Sequence, residues 1–203
     1  MKIICIGRNY AAHAAELGND LPDEPLFFLK PETALLGTGE AFRIPSFSND
    51  VHYELELVLR FGKAGKDISE PDIDEHIEAF SIGLYMTARD VQSQLKAKGK
   101  PWEKAKAFDG SAVLGDTWKP WSEFDVEQTR FSLEKNGQQV QFGDPGLMLF
   151  PIPRLIAHVS RFMSVRPGDM LFTGTPKGVG QVVKGDRLEG FLDEEGMFSV
   201  VVD

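Results

Sequence analysis

Between His52 and Phe61 the side chains alternate in type. Tyr53, Leu55, Leu57 and Leu59 fall on one side of an extended chain, with Glu54, Glu56 and Val58 on the other. This pattern predicts a strand. Short apolar, β-branched or aromatic runs predict further strands at Lys2–Ile6, Leu26–Leu29 and Phe80–Thr87. Asn136-Gly137, flanked by strand residues from Phe131 to Val140, predicts a tight hairpin. Helical stretches are expected at Ala11–Leu17, at Asp72–Ala79 behind Ser69-Glu70-Pro71, at Arg89–Lys98 before Gly99, and at Leu155–Met163. The last stretch alternates short apolar runs with turns at Pro167-Gly168-Asp169, Gly185-Asp186 and Glu195-Gly196. The expected fold is mainly β with short helices, one domain over residues 1–203, without repeats or linkers.

Composition narrows the function classes. The chain has 203 residues and a net charge of −9, from 31 acidic against 22 basic residues. With no Lys/Arg cluster to offset it, that balance repels a phosphate backbone, so nucleic acid is not expected as a partner. No apolar stretch approaches the ~20 residues of a membrane helix, and no cleavable leader is read at the start. The single Cys5 cannot form an internal disulfide, which suits a reducing cytoplasm.

Several residues carry candidate chemistry, each with a plainer alternative. Glu54 and Glu56 place two carboxylates on one strand face, roughly 7 Å apart at the backbone. Either that face is wet, or the pair needs a cation or basic side chains. Asp90, just past an apolar run, is a third oxygen ligand or a helix cap. Three carboxylates without a Cys/His cluster suit magnesium or manganese rather than structural zinc. His13 and Glu16, three apart on a short helix, form either a carboxylate-oriented imidazole or a surface pair. Lys106 lies among aromatic residues and is a buried cation needing an anion, or a solvated lysine. Thr173-Gly174-Thr175-Pro176-Lys177-Gly178 lacks the ending of a P-loop, and is better read as a backbone-rich loop touching a carboxylate.

Six ordered strings resemble the fumarylacetoacetate hydrolase family, in particular its short members related to acylpyruvate hydrolase. They are G-R-N-Y-A-A-H-A-A-E (7–16), F-F-L-K-P (27–31), H-Y-E-L-E-L (52–57), M-T-A-R-D-V-Q (86–92), K-P-W-E-K-A-K (100–106) and P-G-D-M-L-F-T-G-T-P-K-G-V-G (167–180). The resemblance implies a mixed β-roll or β-sandwich catalytic domain, dimeric, without the extra N-terminal domain of longer members. It also implies Glu54, Glu56 and Asp90 as ligands of Mg2+, with Mn2+ or Ca2+ as alternatives. His13 with Glu16 matches a catalytic dyad, and Lys106 faces the substrate. Arg89, Gln92 and Thr175 border the pocket. The expected activity is metal-dependent carbon–carbon hydrolysis of an acylpyruvate, a small anionic 2-oxo acid. The alternatives are oxaloacetate decarboxylation or tautomerisation, isomerisation of 2-hydroxyhepta-2,4-diene-1,7-dioate, and a non-catalytic metal-binding scaffold.

Overall fold

In the computed structural model, which describes all of residues Met1–Asp203, the chain begins with strand β1 (Ile3–Gly7), followed by α1 (Ala11–Glu16) and β2 (Leu26–Lys30). Two long strands follow, β3 (Val51–Phe61) and β4 (Ile77–Ala88), then α2 (Arg89–Ala97), α3 (Glu103–Lys106) and the short strands β5 (Ala112–Leu114) and β6 (Lys119–Pro120). The remainder comprises β7 (Phe131–Lys135), β8 (Gln138–Gly143), α4 (Ile152–Phe162), β9 (Met170–Phe172), β10 (Gly180–Gln181), β11 (Arg187–Leu192) and β12 (Glu195–Val201). No helix is long and apolar enough to cross a membrane.

The strands form two sheets. The larger runs β2-β1-β9-β3-β4-β5, with β10 on β3 and β6 on β4, and is mixed because β1 and β9 are parallel. The smaller, β12-β11-β7-β8, is antiparallel. Leu55 and Leu57 of β3 share one apolar cluster with Leu133 of β7, Leu188 of β11, Val200 of β12 and Leu155 of α4. The two sheets and α4 therefore pack around a common core, which is the mainly β architecture expected.

The period-2 geometry divides the large sheet cleanly. Ile4, Ile6, Leu57, Leu59 and Leu171 face that core, while Ile3, Cys5, Val58, Met170 and Phe172 pack with Tyr85 and Ala112 in a second cluster on the opposite face. Both faces of β3 are consequently buried, and Glu54 and Glu56 lie on the side of the second cluster at 1% and 0% exposure. The wet-face alternative for this pair is removed.

Three expectations change in detail. The helix expected at Asp72–Ala79 is only a 3-10 segment, Glu70–Glu75, and Ile77 already belongs to β4. The cause is tertiary: β4 pairs with β3 from Val51↔Ala88 to Phe61↔Ile77, and that ladder outweighs local helix preference. Helix α4 starts at Ile152, earlier than expected, because Pro153 in the first turn loses no intrahelical bond. The last turn sits at Asp193-Glu194, both with positive φ (49° and 71°), so Glu195-Gly196 opens β12 instead. The Asn136-Gly137 hairpin forms as expected, with φ of 55° and 76° between Lys135 and Gln138.

Candidate active site

The second face of the large sheet ends in a cavity of ≈ 260 Å³, small beside the roughly 300–1,000 Å³ of ordinary ligand pockets. Strand β3 contributes Glu54 and β4 contributes Tyr85; the loop after β1 brings Arg8, and α1 brings His13. Helix α2 leaves β4 directly and presents Arg89, Gln92 and Lys96, while α3 delivers Lys106 and the loop after β9 delivers Thr175. The structure thus gathers Arg89, Gln92, Thr175, His13 and Lys106 around one cavity.

Glu54 is the electrostatic centre. Arg89 Nη2 donates to its Oε1 at 2.5 Å, and Lys106 Nζ donates to Oε1 at 3.1 Å and Oε2 at 2.9 Å. Burial by itself would raise this carboxyl, but Lys106 and then Arg89 hold it well below the ordinary carboxylate range. Burial likewise lowers the Lys106 ammonium, opposed by Glu54. The pair is ionised, since neutralising either partner strands the other charge away from water. Lys30, not singled out for a role from sequence, anchors the arrangement: its ammonium donates to the carbonyl of Lys106 and to Ser111 Oγ at 3.0 Å. Burial brings Lys30 down to about 7.

Glu56 is held differently. Its Oε2 accepts from the backbone N–H of Gly174 at 2.7 Å, and its buried Oε1 has no partner. Burial pushes the carboxyl up to about 8, opposed by the Gly174 N–H. Gly174 has φ +107°, and a Cβ there would come within 2.6 Å of Asn9, so only glycine admits this contact. Gly178 N in the same loop donates to Glu16 at 3.1 and 3.2 Å. The backbone N–H groups of this loop thus bond two of the chain's own carboxylates, Glu56 and Glu16.

His13 is buried, and burial lowers its imidazole below the ordinary histidine range, so it is neutral at pH 7. Its Nδ1 lies 3.5 Å from Glu16 Oε2 and makes no hydrogen bond. The dyad partners are adjacent, but Glu16 is turned toward Gly178. Gln92 Oε1 accepts from Arg89 Nη1 at 2.7 Å, and Thr175 Oγ1 accepts from Gln141 Nε2 at 2.9 Å.

The cavity thus gathers Arg8, Arg89, Lys96 and Lys106 around a neutral imidazole and the buried Glu54 carboxylate. The family model described as fumarylacetoacetate (FAA) hydrolase C-terminal matches residues 2–200, and the chain belongs to the fumarylacetoacetate hydrolase family. It is 40% identical to the oxaloacetate tautomerase YcgM of Escherichia coli, covering 99% of this chain and 92% of that protein. It is 39% identical to the mitochondrial oxaloacetate decarboxylase of Dictyostelium discoideum, covering 99% and 94%. Among solved structures, fumarylpyruvate hydrolase from Pseudomonas aeruginosa, in complex with Mn2+ and pyruvate, superposes with a TM-score of 0.92 at 40% identity, covering 100% of this chain and 89% of that one.

The divalent ion implied at Glu54, Glu56 and Asp90 can be tested against the side chains, and they do not fit it. No group of three or more His, Cys, Asp or Glu side chains is placed to hold a metal. Asp90 is a correction to the sequence expectation: its Oδ1 accepts from Ser48 Oγ at 2.6 Å and Val91 N at 2.8 Å, and its Oδ2 from Asn49 N at 3.0 Å. It tethers the first turn of α2 to the loop before β3, the helix-end alternative. The register explains why: Tyr85 stands opposite Glu54, and β4 continues three residues, roughly 10 Å, before α2 begins. Tyr85, Lys30, Arg8 and Lys96 are the site residues that sequence reasoning missed. Only Lys30 carried a local signal, a lysine closing the apolar run Phe27–Leu29.

Proposed function

We propose that this chain catalyses keto–enol interconversion of a small 2-oxo dicarboxylate of the oxaloacetate type. The observation that carries this reading is the charge of the pocket. Arg8, Arg89, Lys96 and Lys106 line one ≈ 260 Å³ cavity in a chain of net charge −9. Such a concentration of cations favours an anion with more than one carboxylate. Arg89 adds a specific seat, because its buried Nε has no partner and offers a donor to a substrate oxygen.

In this reading neutral His13 removes a proton from the carbon beside the carbonyl, and the electron pair moves onto the carbonyl oxygen. Lys106 balances the enolate charge, and the imidazolium returns the proton to that oxygen. No bond of the carbon skeleton breaks, no co-reactant is consumed, and every step uses the chain's own residues. The name of the E. coli relative supports the reaction type. The test is the rate at which the ultraviolet absorbance of enol-oxaloacetate decays. We expect acceleration by the native chain, and a rate no faster than buffer would refute the proposal.

Glu16 beside His13 favours a second reading, hydrolysis of an acylpyruvate. His13 would take a proton from water, the hydroxide would attack the distal carbonyl, and the carbon–carbon bond would break to give a carboxylic acid and the enolate of pyruvate. Pyruvate release from acetylpyruvate tests it. A chain inactive on both substrates would be the non-catalytic scaffold. We further take residues 1–203 as one catalytic domain acting as a cytoplasmic homodimer, a state that sedimentation velocity reads directly.

A further inference from the structure

We infer that this site carries its positive charge in Lys106 and Arg89 in place of a bound divalent ion, with Tyr85 occupying the position a third carboxylate would need. Directly opposed residues of an antiparallel pair point to the same face, with Cβ atoms about 5 Å apart. The residue opposite Glu54 is Tyr85, so the acidic pair on β3 meets a phenol across the ladder. The Tyr85 hydroxyl lies 3.3 Å from Lys106 Nζ, and that ammonium sits 4.5 Å from the centre of the Tyr85 ring and 5.5 Å from that of Phe28. The phenol and the ammonium are packed together where an ion would sit.

Charge and ligand counts agree. Two glutamates supply at most two negative charges, and Lys106 and Arg89 already supply two positive ones, with the buried Lys30 close behind. A divalent ion would have to expel both cations from Glu54 and would then face them across the same small volume. Of the four carboxylate oxygens, only Glu56 Oε1 has no partner. One oxygen does not make the near-octahedral shell that a small hard cation demands. The inference concerns binding and holds whichever substrate the pocket takes.

The test is Mn2+ titration of the chelator-stripped, full-length chain, followed by the electron paramagnetic resonance of free Mn2+ and by thermal denaturation. The native chain is expected to show no saturable binding through the millimolar range and no rise in Tm. Stoichiometric Mn2+ binding by the native chain, lost in Glu56→Gln, would overturn the inference. Tyr85→Asp is expected to tighten Mn2+ binding at least about tenfold. Should that variant not fold, Lys106→Met frees Glu54 and is read the same way. A folded Tyr85→Asp that binds no better than native would overturn the role given to Tyr85. Because no substrate is present, an inactive chain does not disturb the result. Enol-oxaloacetate turnover persisting in excess chelator is the further expectation where the tautomerase reading holds.

Discussion

The two sheets treat polar residues in opposite ways. In the small sheet, β11 alternates strictly, with Leu188, Gly190 and Leu192 buried between the more exposed Arg187, Glu189 and Phe191, so a charge there is a residue facing water. In the large sheet, β3 is buried on both faces, so a charge there must find a partner, and Glu54 finds two. The same period-2 pattern therefore means solvent in one sheet and a site in the other. What differs is the second face: in the large sheet the side chains of β1, β3, β4 and β9 there form a buried cluster with Leu35 and Trp118 packed against it, whereas the outward side chains of β11 are partly or fully exposed.

Breaking the buried pair should have the largest effect. Glu54→Gln leaves Lys106 and Arg89 facing a neutral amide and is expected to cost about 3–5 kcal/mol, read from urea denaturation. A cost under about 1 kcal/mol, the range of exposed pairs, would mean that the two sheets are electrostatically alike. Next, His13→Ala is expected to lower enol-oxaloacetate turnover about a hundredfold or more with the fold intact, by circular dichroism and initial rates.

The acid limb of native turnover follows from the same residue. Because burial lowers the folded pKa of His13, the neutral form dominates above the ordinary value of 6.5 and persists somewhat below it. Turnover should therefore hold through neutral pH and fall only as pH drops through the depressed value. The associated stability has the same sign, present above the unfolded pKa and lost as pH falls through the folded one. An acid limb centred above 6.5 would contradict a neutral buried imidazole.

In the small sheet, Asn136→Ala removes a residue with φ 55° whose side chain bonds Asp186 at 2.8 Å and Arg187 N at 2.9 Å. The expected loss is about 1–2 kcal/mol with unchanged turnover, since the hairpin does not touch the pocket. Asp90→Ala should cost about 1 kcal/mol as a lost helix-end tether and leave turnover within about twofold. Abolished turnover at full stability would return Asp90 to the chemistry.

Much of this molecule was legible along the chain. The β3 alternation, the Asn-Gly hairpin and the short helices α1 and α2 are local consequences of side-chain period and turn chemistry. The burial of Lys106 was legible as an aromatic setting for a cation, though its partner, 52 residues away, was not. The helix expected at Asp72–Ala79 failed for the converse reason: a strong ladder formed with a distant strand and took the residues over.

Side-chain period and turn chemistry along the chain specify which faces the strands possess and where the Asn136-Gly137 turn falls, and six ordered strings carry the family. Only the tertiary structure decided which residue stands across from Glu54. Alternation specifies the side on which a residue points, while the register between two strands is set by packing and loop closure over the whole sheet. That register puts Tyr85 opposite the acid, sends Asp90 to a helix end, and lets Lys106 reach in from α3.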